Sequence, residues 1–261
     1  MTAFDSTLLL SIIQSITEFL PISSSGHLIL MEKFGFSNQQ LLMDISLHIG
    51  TLFAVFVFFA QDIYQLFIGF WHRGIKQKIC ISLIISTIPA LLTGYFLNDI
   101  VETVLRSPIV IAFTSIFYGI LLWVVDTYAP KNKTIQQITY RNALYIGLAQ
   151  ALALIPGTSR SGITMTCARL LGYSRVESAR YSMLMSIPVI ALGAVYMFWD
   201  NRNSETLSWD TLTQIGIGII LSAFFGLLAV WFLMHWLKKA SFGIFAIYRI
   251  TLGLFLLIYF W

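Results

Sequence analysis

Long apolar runs broken by short polar stretches fill the chain, and within the runs the pattern is continuous rather than alternating. Alternation would mark the strands of a barrel, whereas continuity over about 20 residues marks a membrane-crossing helix. Residues 45–60, 79–97, 108–125 and 177–199 carry almost no charge in their interiors, and 211–237 and 242–261 follow the same pattern. We read these six as full crossings. Pro89 and Pro188 lie inside two of them, as kinks that a membrane helix tolerates. The expected fold class is an all-α polytopic membrane protein forming a single membrane domain over 1–261.

Loop charge orients the crossings. Arg73, Lys76 and Lys78, then Lys131, Lys133 and Arg141, then Lys238 and Lys239 belong on the cytoplasmic side. The more acidic loops 98–107 and 200–210 belong outside. Residues 141–176 must then begin and end inside, with the break Pro156-Gly157-Thr158-Ser159-Arg160-Ser161-Gly162 at their centre. That is the signature of a re-entrant helical hairpin. Residues 4–40 have the same character and enter from outside. A helix over 6–20 meets Pro21-Ile22-Ser23-Ser24-Ser25-Gly26, and a second opens at Gly26 and runs to about Phe34.

The two broken segments match. Gln14, Ser23, Ser25 and Gly26 recur as Gln150, Ser159, Ser161 and Gly162, all at an offset of 136. With the opposite orientations from loop charge, this predicts an inverted-topology repeat of 1–130 and 131–261. Each half holds one hairpin and three crossings, and the two tips meet near the bilayer midplane. Broken-helix N-termini at such a place face an anion.

Composition narrows the class. Hydrophobic residues are 57% and charged residues 11%, against about 45–50% and 25% in soluble domains. A soluble enzyme and a disordered chain are excluded. The net charge of +4 is spread over loops as topology determinants, so no nucleic-acid partner is expected; the partner is the lipid bilayer. Cys80 and Cys167 read as small apolar residues. The N-terminus lacks a basic stretch, so no cleaved signal peptide is expected.

Chemistry concentrates at the two breaks. Glu18 lies in an apolar helix on the same face as Gln14, and a carboxylate at membrane depth is a functional candidate. Ser23-Ser24-Ser25-Gly26-His27 adds hydroxyls, an imidazole and a helix N-terminus, which suits a phosphate. A serine attacking phosphorus needs a base, and His27 or Glu18 would serve. Arg160, flanked by Ser159, Ser161 and Thr164, requires an anion, either a phosphate or Glu18. Arg169, Arg175 and Arg180 read as cytoplasmic anchors. Asp44 reads as a helix cap or, with His48 one turn on, as cavity lining; Tyr248-Arg249 either snorkels or reaches the core. No Walker A, dinucleotide glycines or Cys/His metal spacing appears. These pieces suit phosphoryl transfer from a lipid-borne phosphate to water.

The segments Gln14-Ser15-Ile16-Thr17-Glu18-Phe19-Leu20-Pro21-Ile22-Ser23-Ser24-Ser25-Gly26-His27 and Pro156-Gly157-Thr158-Ser159-Arg160-Ser161-Gly162-Ile163-Thr164 resemble the two signatures of the bacterial undecaprenyl-diphosphatase family of the bacitracin-resistance type. The likeness extends over the chain to Ala246-Ile247-Tyr248-Arg249. It implies hydrolysis of undecaprenyl diphosphate to undecaprenyl phosphate and inorganic phosphate at the outer face of the inner membrane. That reaction recycles the lipid carrier for peptidoglycan synthesis and confers bacitracin resistance. Matched by position, Glu18, Ser24, His27 and Arg160 form the catalytic core; Gln14, Ser23, Ser25, Ser159, Ser161 and Thr164 bind phosphate. The resemblance leaves the nucleophile open among Ser24, His27 and a water activated by Glu18. The family's first motif opens on Glu or Gln, and Gln14 leaves one carboxylate fewer for a divalent cation (Mg or Ca), with Glu18 as its ligand. The phosphatidic-acid-phosphatase class is disfavoured, because the position six after Arg160 is Thr166 and not His. The alternative from a different class is a polyprenyl-phosphate transporter or flippase.

Overall fold

A computed structural model describes residues 3–33, 41–100, 105–201 and 209–260. Residues 34–40 of the first hairpin and most of the two acidic loops lie outside the described residues. The helices are α1 (Ala3–Phe19), α2 (Ser24–Lys33), α3 (Leu41–Phe58), α4 (Ala60–Phe70), α5 (Ile75–Ile100), α6 (Pro108–Tyr128), α7 (Tyr140–Ala151), α8 (Arg160–Leu170), α9 (Arg175–Asn201), α10 (Trp209–Lys239) and α11 (Gly243–Phe260). Among the described residues there is no β-strand. Five helices are long and apolar enough to cross a membrane, and α3 with α4 makes a sixth if that bent pair is one span. The protein is an all-α polytopic membrane protein.

Both broken segments are pairs of helices, α1–α2 and α7–α8, each pair packed together. Around them α1 packs on α10 and α7 on α5, while α3 packs on α9 and α6 on α11. The outward faces of α6 and α10 are large and apolar, with Phe117, Trp123, Phe224 and Trp231 exposed. The interior is rich in small hydroxyl side chains instead: Ser11, Ser15, Ser46, Thr51, Ser82, Ser86, Ser186 and Ser222 are buried. In lipid the hydrophobic effect does not hold helices together, so close backbone approach and interhelical hydrogen bonds take its place. Ser15 Oγ donates to the Ser222 carbonyl at 3.0 Å, and Tyr181 Oη donates to that of Ser82 at 2.9 Å.

Three expectations are corrected. The stretch after residue 60 is not simply a loop: α4 turns 80° from α3 and exposes Tyr64, Phe67 and Ile68. Its polar residues Gln61, Asp62 and Gln65 alternate with apolar ones at helical spacing, the pattern of an interfacial helix. Asp44 does not cap α3 but lies within its first turn, near the positive end of the helix. Arg169 is no anchor. It is fully buried, and its Nε donates to Asp126 Oδ1 at 3.0 Å while its remaining nitrogens bind carbonyls of Asp126, Ala129, Pro130 and Tyr173. Arg175 joins Asp126 at 2.8 Å, and the Phe242 amide donates to Asp126 Oδ2 at 3.0 Å. One carboxylate thus ties together α6, α8, α9 and the start of α11. Arg180 pairs with Asp62, linking α9 to α4.

Removing that carboxylate tests the clamp. Asp126→Asn leaves Arg169 buried without a counter-charge, and breaking a buried pair from one side costs about 3–5 kcal/mol. The expected outcome is a marked fall in the thermal unfolding temperature of the purified protein in detergent. An unchanged unfolding temperature would remove Asp126 from this role.

Candidate functional site

The chain breaks at the same place in each hairpin and in the same way. Ser23 and Ser159 both have positive φ, 76° and 69°, a conformation that costs a residue with a Cβ about 1–2 kcal/mol. Each side chain then caps the helix it precedes. Ser23 Oγ accepts from the Gly26 amide at 3.3 Å, and Ser159 Oγ accepts from the Gly162 amide at 3.1 Å. Helix α2 therefore opens at Ser24, two residues earlier than the sequence reading placed it, because Ser23 and not a later serine is the cap.

The tips touch. Ser161 Oγ donates to the Leu20 carbonyl at 3.0 Å, tying the second break to the first. Gly157 has φ 86°, and a Cβ there would lie 2.1 Å from Thr114 Oγ1 and 2.9 Å from the Ile111 carbonyl. Arg249, buried in α11, holds the same loop by donating to the Gly157 and Thr158 carbonyls at 2.9 and 2.8 Å. This places Arg249 in the core rather than at the interface.

The ionic centre lies where the tips meet. Glu18, in the last turn of α1 and 8% exposed, accepts from Arg160 Nη2 at 3.0 Å through Oε1. Its Oε2 accepts from Ser24 Oγ at 3.1 Å and from Gln14 Nε2 at 3.2 Å. Arg160 opens α8, and its Nε lacks a hydrogen-bond partner among the described residues. The guanidinium borders a cavity of about 580 Å³ between α5 and α9, lined by Leu91, Leu92, Tyr95, Leu154, Leu192 and Tyr196, with Gln150 beside Arg160. A cation thus stands at one edge of an apolar cavity, with the carboxylate and the hydroxyl bonded in series behind it, an arrangement that suits an amphiphile with an anionic head.

Not every expected residue joins this group. His27 does not bind Ser24. Its Nδ1 lies 2.6 Å from the Ser23 carbonyl, so it carries the proton, and Nε2 accepts from Tyr248 Oη at 2.6 Å. The alternative base, Glu18, is the group that Ser24 reaches. Ser159 and Ser161 are occupied in the cap and the tie. Thr164 Oγ1 lies 2.7 Å from Ser182 Oγ, joining α8 to α9. Gln14 is fully buried against Glu18, with His48 Nε2 at 3.2 Å. Gln14, Ser23, Ser159, Ser161 and Thr164 are thus each engaged within the protein around the centre. The side chain of Ser25 lies outside the described residues. Sequence reasoning gave no role in this site to Ser182 or Tyr248; the Tyr248-Arg249 dipeptide in an apolar helix was the signal for the latter.

A divalent cation would find one carboxylate here, with both oxygens engaged, and among the described residues no three His, Cys, Asp or Glu side chains converge. The residues present do not fit a cation held by the protein alone, which takes six or more oxygen ligands.

These elements define a class: an integral membrane protein that buries a carboxylate, an arginine and a serine where two broken helices meet. Within that class the chain belongs to the family of the bacitracin resistance protein BacA, whose model matches residues 7–255. Among its relatives, an undecaprenyl-diphosphatase of Saccharophagus degradans is 44% identical over 260 residues, covering 96% of this chain and 97% of that one. One of Desulforudis audaxviator is 43% identical over 251 residues, covering 95% and 94%. One of Teredinibacter turnerae is 44% identical over 257 residues, covering 95% and 96%.

The junction itself can be tested. Gly157→Ala combines a clash with a forbidden φ, and its expected effect on unfolding temperature exceeds that of Ser161→Ala. The latter loses one buried hydrogen bond, at about 0.5–1.5 kcal/mol, because the Leu20 carbonyl still accepts from the Ile22 amide at 2.7 Å. Equal stability of Gly157→Ala and wild type would contradict the packing of the tips.

Proposed function

We propose that the protein hydrolyses undecaprenyl diphosphate to undecaprenyl phosphate and inorganic phosphate. The observation that carries this reading is the hydrogen bond from Ser24 Oγ to a carboxylate that is itself paired with Arg160, at the edge of an apolar cavity. The names of the relatives point to the same substrate. We place the site on the periplasmic side of the bacterial inner membrane, where turnover recycles the carrier for peptidoglycan synthesis and resists bacitracin. We further read the chain as two repeats of opposite topology, 1–130 and 131–261. The recurrence of the strained serine, its cap on a glycine and the buried glutamine at an offset of 136 supports this.

On this reading the diphosphate competes with Glu18 for Arg160, whose planar fork matches phosphate oxygens. As the guanidinium turns to the substrate, Glu18 loses its ionic partner and is free to take the Ser24 proton. Ser24 Oγ attacks the terminal phosphorus, the new Oγ–P bond forms, and the bond from phosphorus to the bridging oxygen breaks. Undecaprenyl phosphate departs with that electron pair. A water then attacks the phosphoserine, the Oγ–P bond breaks as Glu18 returns its proton to Ser24 Oγ, and inorganic phosphate leaves carrying the protons of the water. His27 is held between the Ser23 carbonyl and Tyr248, with neither ring nitrogen bonded to Ser24. Arg160 and the α8 N-terminus stabilise the charge on the transferring group.

Phosphate release from undecaprenyl diphosphate by the purified protein in detergent tests this. Ser24→Ala, Glu18→Gln and Arg160→Ala should each lose about a thousandfold or more in kcat/KM. Turnover by Ser24→Ala at the wild-type rate would exclude the serine nucleophile and leave direct attack by water. Wild type that binds the lipid and releases no phosphate would favour the carrier reading, since no transport occurs in detergent.

A further inference from the structure

His48 lies behind the centre, on α3. Its Nδ1 is 2.8 Å from the backbone carbonyl of Asp44, one turn back. A carbonyl only accepts, so Nδ1 carries the proton and Nε2 of the neutral ring presents a lone pair. That lone pair faces Gln14 Nε2 at 3.2 Å. The amide nitrogen therefore donates one hydrogen to His48 and the other to Glu18 Oε2, also at 3.2 Å. Reversing the amide would set its oxygen against two acceptors at once, the imidazole lone pair and the carboxylate. Gln14 Oε1 is buried without a partner among the described residues. Leaving an amide oxygen unsatisfied is costly, and the two donated bonds must outweigh it.

We propose that His48 is a positioning residue for the carboxylate. Its ring, oriented by the Asp44 carbonyl, fixes which end of the Gln14 amide faces Glu18, and so holds Glu18 Oε2 toward Ser24. His48 touches no substrate; it acts through Gln14. The inference rests on the reading of Glu18 as the acceptor of the Ser24 proton. It also explains how a neutral glutamine serves at this position, as a donor to the carboxylate rather than as a second acid.

The test is a set of variants of the full chain, assayed for phosphate release from undecaprenyl diphosphate in detergent. His48→Phe removes the acceptor while keeping a planar ring; kcat should fall about tenfold or more, with KM within about threefold of wild type. His48→Gln places an amide oxygen at about the reach of Nε2, and should recover kcat to within about threefold of wild type. In a Gln14→Ala background, His48→Phe should cost nothing further, because the relay is already cut. Wild-type kcat in His48→Phe, failure of His48→Gln to recover activity, or the same loss from His48→Phe with and without Gln14 would each overturn the proposal. Wild type that releases no phosphate would overturn the hydrolase reading and this inference together. An active wild type with an unaffected His48→Phe would overturn the inference alone.

Discussion

Glu18 and Arg160 lie 142 positions apart in sequence and 3.0 Å apart in space. Each sits beside a break in a buried helix, and neither charge would be tolerable there alone. A carboxylate stripped of water needs a counter-ion and donors for both oxygens. Arg160, Ser24 and Gln14 supply them. The pair consequently fixes the two hairpins against each other, and the strained serines, the tie from Ser161 to Leu20 and the close approach at Gly157 all serve that junction.

The protein contains a second buried ionic group, and the contrast between the two is informative. At Asp126, every nitrogen of Arg169 has an acceptor, and both oxygens of the carboxylate are shared among donors. Nothing remains for a ligand, and the group clamps helix ends. At Glu18 the arginine keeps its Nε unpaired among the described residues and borders a cavity. A saturated pair holds structure, whereas an unsaturated one retains donors that an incoming anion completes. This distinction separates Arg169 from Arg160 more clearly than their similar settings in one short helix.

Much was legible along the chain. Continuous apolar runs mark the crossings because a lipid-embedded backbone satisfies its own hydrogen bonds only as a helix. The breaks at Pro21–Gly26 and Pro156–Gly162 announce themselves because such polar, flexible residues are expensive at membrane depth unless used. Glu18, Ser24 and Arg160 stand out for the same reason. Helix α4 escaped notice because its apolar face is short and shares its stretch with the charges of a loop. Arg169 and Arg175 passed for surface anchors because a basic residue near a helix end normally reaches water.

The sequence by itself determined the class of protein, the two breaks and the residue types at them, since solvation in lipid penalises any other pattern locally. Which groups touch was decided only by the tertiary structure. Ser24 could have met His27 or Glu18, and packing of α11 gave His27 to Tyr248 instead. Gln14 could have faced a phosphate, and α3 gave its amide to His48. Hydrogen-bond partners depend on the approach of helices distant in sequence, and no local spacing carries that information.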